Sequence, residues 1–407
     1  MNTLFIHQNF PSQFTHLAAA LARRGNRVVG LGLSPQAVPG VEVMAYTLSQ
    51  HPHPALDGLL QESASNTLRG EGAALAALQL KEQGFAPDLV CVHPGWGEAF
   101  FLRDIFPKSR ILCYLEYYYH AFGADSNFDP EFPHQSYPQR FHLRMKNTPF
   151  LHALETMDRG VCPTAWQKSL FPACYRDRIE VIHDGIDTTA VRPSAQVVVT
   201  LKRDNLTLTP DDEVVTYVAR SLEPSRGYHI FMRALPELLG RRPKAHVLIV
   251  GDHTTSYSPR PVDGRSYKDI YLNEVAAQLD MSRVHFLGKL RYAQFLAILQ
   301  VSTAHVYLTV PFVLSWSVIE AMSAGCLLVG SATPPVREVI RHGENGLLFD
   351  YFSPSHLADT VATALERRDE MLPLRQQARR TAVERYDLET VCLPRQFKLI
   401  EDLLFSP

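Results

Sequence analysis

Residues 213–235 read EVVTYVARSLEPSRGYHIFMRAL. An apolar, β-branched run of strand length is followed by a polar loop and then by a helix beginning near Gly227. This is one βα unit, and its recurrence along the chain decides the fold. Upstream lie TLFIH, NRVVGLG, DLVCVH, RILCYLEY and IEVIH; downstream lie AHVLIVG, VHFLG, AHVYLT and CLLVGS. Strands buried on both faces have this composition. Amphipathic segments such as FTHLAAALARRG separate them, with a glycine after the last turn. Repeated βα units imply α/β architecture, parallel sheets and right-handed crossovers.

At 407 residues the chain exceeds one ordinary core, so two domains are expected. The polar stretch 185–212 separates two βα blocks. The expected division is 1–190 for the N-terminal domain and 191–384 for the C-terminal one, with a segment of about 385–407 crossing back to the first. Two such domains facing one another place a site in the cleft, beyond the carboxyl ends of the strands. Charged residues at 20% and apolar residues at 46% fit a globular protein, and a net charge of −2 offers no general attraction for nucleic acid. The opening MNTLFIHQNFPSQF lacks a basic n-region and a long apolar run, so a cytoplasmic chain is expected. The six cysteines form no C-x-x-C pair and read as free thiols.

The loop of the opening stretch carries Arg220 at the strand end and Arg226 just before the helix. Two guanidiniums beside unpaired helix-start amides suit a diphosphate. The alternative is that each arginine pairs with a local acid such as Glu223. A second unit, VYLT-PFVLSWS-VIEAMSAG, holds one carboxylate, Glu320. It can either accept hydrogen bonds from vicinal ribose hydroxyls or complete a capping box with Ser317.

In order, VIHDGID (181–187), ARSLEPSRG (219–227), HVLIVG (246–251), HFLGKL (285–290) and SVIEAMSAGCLLVGSATPPVREVIRHGENGLLF (317–349) resemble the motifs of the retaining family 4 glycosyltransferases of GT-B fold. The resemblance is dense in the C-terminal half and looser before it. It implies two Rossmann-like domains, the C-terminal one holding a nucleotide-sugar donor and the N-terminal one an acceptor. It also implies that Arg220 and Arg226 neutralise the diphosphate and that Glu320 binds the ribose. The amides of Ser315, Trp316 and Ser317 meet the phosphates, and Gly288, Lys289 and Leu290 read the base. The family's first glutamate of E-x7-E falls on Phe312, and residues 305–319 contain no acid. Another group reading the sugar, a different sugar and a weakened enzyme all stay open.

His93 follows a strand, where similar enzymes carry a histidine near the transferred sugar. The loop HQNFPSQF replaces the family's glycine-rich acceptor loop, with Asn9, Phe10 and Ser12 as acceptor-side candidates. No metal or cofactor is expected; a UDP- or GDP-sugar is a substrate. The acceptor is a carbohydrate, a lipid-linked molecule or a small molecule. HPHP at 51–54 reads as an exposed turn rather than a metal clip. Residues 115–150 fit neither period and read as a long functional loop. Within it, QRFHLRMK (139–146) alternates basic and apolar side chains, the pattern of a solvated edge strand or of a patch for an anionic acceptor or the inner membrane face. A sugar-nucleotide epimerase and a catalytically silent partner subunit are the alternatives to transfer.

Overall fold

In the computed structural model, which describes residues 1–52, 56, 58–133 and 136–405, all ten strand-like runs form strands. The first unit comprises Met1–Gly185 with the segment from Glu389 onward. Its sheet contains β1 (Asn2–Ile6), β2 (Arg27–Gly32), β3 (Glu42–Ala45), β4 (Leu89–Val92), β5 (Arg110–Tyr114), β6 (Arg159–Cys162) and β7 (Ile179–Val181). They run in the order β3-β2-β1-β4-β5-β6-β7, every neighbouring pair parallel. The chain therefore moves outward from β1 in one direction and then, from β4, in the other.

The second unit is Ile186–Leu388. After a small antiparallel hairpin, β8 (Val199–Leu201) and β9 (Leu206–Leu208), come β10 (Val214–Ser221), β11 (His246–Asp252), β12 (Val284–Gly288), β13 (Ala304–Tyr307), β14 (Leu327–Ser331) and β15 (Leu347–Phe349). The order β12-β11-β10-β13-β14-β15 repeats the same reversal, between β10 and β13. Ligands in such sheets sit at this reversal, beyond the carboxyl ends of the strands. The two candidate places are thus the loops after β1 and β4 and those after β10 and β13.

Two stretches depart from expectation. Part of the polar stretch 185–212 forms the hairpin, whose Val199 and Leu208 are buried in the core of the second unit. Residues 139–146 are no edge strand: the helix Tyr137–Lys146 starts on a capping box in which Ser136 and Gln139 bond reciprocally. The local cap outweighs the alternation. The helix has no buried residue and exposes Tyr137 and Phe141. Of HPHP, His53 and Pro54 lie outside the described residues.

The helix Leu393–Phe405 packs on the helix Thr15–Arg23, with the Arg24 guanidinium 3.5 Å over the Phe397 ring. All six cysteines are free, and only Cys174 is exposed. Among the described residues no helix is long and apolar enough to cross a membrane.

Candidate functional site

In the second unit, β10 ends at Ser221 and the chain turns through Pro224–Arg226 into the helix Tyr228–Arg241. Gly227 makes this turn possible. Its φ is +63°, and a Cβ there would stand 2.6 Å from Leu308, the residue after β13, so the two loops meet at a point only glycine fits. Arg226 fastens that meeting. It is buried, and its Nη1 donates to Thr309 Oγ1 and to the Val313 carbonyl, both at 2.9 Å. The backbone Val310 N–H bonds the Ser225 carbonyl at 3.1 Å. Arg220 stands at the exposed end of β10 and forms no hydrogen bond or ion pair among the described residues.

Neither arginine pairs with Glu223. That carboxylate is fully buried and accepts the backbone N–H groups of Ser256, Tyr257 and Ser258 at 2.9 to 3.1 Å. It pins the loop after β11 so that the Tyr257 ring lies over the Arg226 guanidinium, 5.3 Å from its centroid. Phe312 closes the group: its ring lies 4.9 Å from Tyr257 and 5.6 Å from the guanidinium carbon. Where the resemblance implies a carboxylate, this chain has an aromatic lid on its buried cation.

The helix Trp316–Ala324 starts on Ser315, whose N–H donates to Tyr307 Oη at 2.9 Å; no side chain caps it. The capping box of Ser317 and Glu320 does not form, because Ser317 is already inside the helix and Glu320 lies in its second turn. Glu320 is buried, and its Oε1 accepts the Tyr292 hydroxyl at 2.8 Å. Burial pushes its carboxyl above the usual range, and the Tyr292 hydrogen bond opposes this in part. Of the residues expected to read a base, Gly288 has φ +65° and Lys289 is drawn to Asp252 at 2.5 Å. Leu290 packs against the hydrophobic cluster around Val199.

In the first unit, His7 follows β1 and His93 follows β4. Both are 2% exposed. The N–H two residues on donates to each ring: Asn9 N–H to His7 Nδ1 at 2.9 Å, Gly95 N–H to His93 Nδ1 at 3.2 Å. The rings lie 5.2 Å apart, and Trp96 stacks on His93 at 4.5 Å. Glu116, just beyond β5, accepts Gln13 Nε2 at 3.0 Å and faces His93 Nε2 at 3.5 Å. Burial, and then the neighbouring His93, pull the His7 pKa down from 6.5 to about 2, with Gln13 opposing.

The acceptor-side expectation needs one correction. Phe10 is fully buried and its ring fills the space over Gly30, so it is a core residue rather than an exposed contact. The loop Phe10–Ser12 bends sharply, with a cis Phe10–Pro11 bond and φ +44° at Ser12. Asn9 is exposed and contributes its N–H to His7. Gln13 closes the polar stretch His7–Gln13 that the sequence offered on the acceptor side, whereas Glu116 was not singled out: it lies where the strand-like RILCYLEY overlaps the loop expected from residue 115, and β5 ends at Tyr114. Tyr257 lies in an aperiodic loop with no sequence signal at all.

The model described as "Glycosyl transferase family 4 group" matches residues 24–191, and that described as "Glycosyl transferases group 1" matches residues 199–383. The chain belongs to the family 4, group 1 glycosyltransferases. A curated relative, the D-inositol 3-phosphate glycosyltransferase of Nocardia farcinica, is 31% identical over 226 residues, covering 53% of this chain and 46% of its own length. The chain thus spans about half the length of the curated relatives it matches. Sucrose-phosphate synthase of Thermosynechococcus elongatus superposes with a TM-score of 0.73 at 16% identity over 100% of both chains. Anabaena HepE, solved in complex with UDP-glucose, gives 0.67 at 17% identity over 99% of this chain and 100% of its own. At these identities the likeness is one of fold: the GT-B fold, with two parallel-sheet, Rossmann-like domains.

Proposed function

We propose that the chain transfers a sugar, with retention of anomeric configuration and without a metal or other cofactor, from a nucleoside diphosphate sugar to an acceptor hydroxyl. The observation that carries the reading is the arginine cluster at the reversal of the second sheet. Arg226 is fixed between the loops after β10 and β13, and Arg220 stands unpaired among the described residues at the end of β10. Breaking the anomeric bond builds positive charge on the sugar and negative charge on the departing diphosphate. Cations already in place stabilise the second charge more in the transition state than in the ground state.

Arg220 would reach the diphosphate directly. Arg226 spends its Nη1 on the protein, so it sets the shape of the loop and contributes its charge from behind it. Two helices, Tyr228–Arg241 and Trp316–Ala324, begin in these same loops without capping side chains, and their amides are a second source of positive potential. Glu320 would accept the ribose hydroxyls, sharing its carboxylate with Tyr292. The UDP-glucose complex of the similarly folded Anabaena protein favours a UDP-sugar donor.

A thermal-shift panel of UDP-, GDP-, ADP- and TDP-sugars tests the donor. One nucleotide series should raise the melting temperature in a concentration-dependent way. Release of the matching nucleoside diphosphate in the presence of acceptor then tests transfer. No stabilisation by any of the four series would remove the proposed donor site.

A further inference from the structure

The insertion after β5 carries a surface that neither the core nor the proposed transfer uses. Residues 132–154 hold no aspartate or glutamate, but they hold Arg140, Arg144 and Lys146. The helix Tyr137–Lys146 lies within this run and buries none of its residues. Tyr137, Phe141 and Arg144 follow one another at spacings of four and three, so they share one face of it. Tyr137 is 69% exposed and Phe141 51%, with their rings 6.1 Å apart. Phe122, 58% exposed, is joined to them by Arg140, whose guanidinium lies 4.9 Å from the Phe122 ring and 5.4 Å from that of Tyr137. His142 meets Glu62 at 3.2 Å, which ties the helix to the helix Gly58–Glu82, where Leu60 is also exposed.

None of the three cations forms an ion pair among the described residues; Lys146 rests over the Tyr119 ring at 4.4 Å. Elsewhere in the same unit Arg27 and Arg103 have carboxylate partners, Glu42 at 2.9 Å and Asp158 at 2.7 Å. Near the helix, Glu62 is engaged with His142, and Asp125, whose charge Lys146 feels, accepts the Tyr117 hydroxyl at 2.9 Å. The face thus sets positive charge that no carboxylate bonds beside exposed aromatic rings. We infer that it docks the first unit on an anionic lipid bilayer, with Phe122, Tyr137 and Phe141 entering the headgroup region and Arg140 and Arg144 taking lipid phosphates. Such a helix lies in the plane of the interface, its rings on the acyl boundary and its cations among the negative headgroups. A soluble polyanion would satisfy the arginines and leave three rings in water; an apolar protein partner would cover the rings and leave the charges unpaired. A bilayer surface satisfies both.

Co-sedimentation of the full chain with vesicles tests this, one set made of phosphatidylcholine alone and the other of phosphatidylcholine with phosphatidylglycerol. The chain should bind the second set, bind the first far more weakly, and come off the second as salt is raised. Arg144→Ala should weaken binding about fivefold, and Phe141→Ala about tenfold. Both side chains are exposed, so both variants should fold, which circular dichroism checks. No binding to the anionic vesicles overturns the inference, as does equal binding to the neutral ones. So does binding that neither variant changes, which would place the lipid contact on another surface. Binding of soluble heparin without binding of vesicles, weakened by Arg144→Ala but not by Phe141→Ala, overturns it in favour of an anionic polymer. No donor or acceptor enters the assay, so failure of the transfer reading leaves this result untouched.

Discussion

The two sheets reverse their strand order in the same way, yet the side chains gathered at the two reversals have opposite character. At the ends of β10 and β13 and in the loops that follow stand a buried and an exposed arginine and two uncapped helix starts. After β1, β4 and β5 stand two imidazoles with protons on Nε2, an amide and a carboxylate. Topology chooses where a ligand can sit, because only at the reversal do neighbouring loops leave in different directions. Which ligand is taken depends on the charge and donor pattern placed there. One end gathers arginines and helix-start amides, the other imidazoles with an amide and a carboxylate.

The largest expected effect tests the cationic end. Arg220→Ala should lower turnover by roughly 10²–10³, the scale for losing one donor to a developing negative charge. Because Arg220 is exposed and unpaired among the described residues, the melting temperature should hardly move. Steady-state kinetics near the parent's would strike Arg220 from the diphosphate site and leave the comparison without its strongest member.

Glu320→Gln comes next. Hydrogen bonds to a charged group contribute about 1.5–3 kcal/mol, so nucleotide affinity by calorimetry should fall roughly ten- to a hundredfold. Stability should hold, since the Tyr292 hydroxyl can donate to the amide oxygen as well. A large loss of stability with unchanged affinity would mean that Glu320 serves the fold alone.

The smallest effect at neutral pH belongs to the first unit, and it grows only in acid. His7 is held near a pKa of about 2 against 6.5 for a free imidazole, so below pH 6.5 the unfolded chain takes up a proton that the folded one refuses. Stability is complete above 6.5 and falls as the pH drops toward 2, by up to about 1.4 kcal/mol per pH unit from this group. His183 and His305, each held near 4 by burial, steepen the same limb down to that pH. His7→Gln should flatten the curve most clearly below pH 4, where the other two have titrated. An unchanged slope there would show that the ring is not kept neutral by its surroundings of Gln13, His93 and Trp96.

Long apolar runs bounded by turn residues made the central strands readable, since a strand buried on both faces must be apolar throughout. The short strands β3, β6 and β15 escaped the reading. The hairpin β8–β9 was hidden in a stretch whose composition is polar. The helix Tyr137–Lys146 was misread because its basic and apolar residues alternate, and only the bonds between Ser136 and Gln139 reveal the cap. The expected placements held for Arg220 at the end of its strand, for Arg226 and His93 in loops that leave strands, and for Glu320 in the helix that follows one. Glu116 fell in the overlap between the strand-like RILCYLEY and the loop expected from residue 115, and β5 stops two residues before it; Phe10 was offered as a contact although it lies in the core.

The amino-acid order by itself determined the α/β class, the series of βα units and the identity of most charged groups near strand ends, because periodicity and burial are local properties of the chain. It could not determine which partner each group takes. That Glu223 binds three amides instead of an arginine, that Glu320 meets Tyr292 instead of its own helix start, and that Tyr257 and Phe312 close over Arg226 were decided only when separate loops met. Hydrogen bonds of this kind join residues tens of positions apart, and their geometry exists only once the second sheet has brought its loops together.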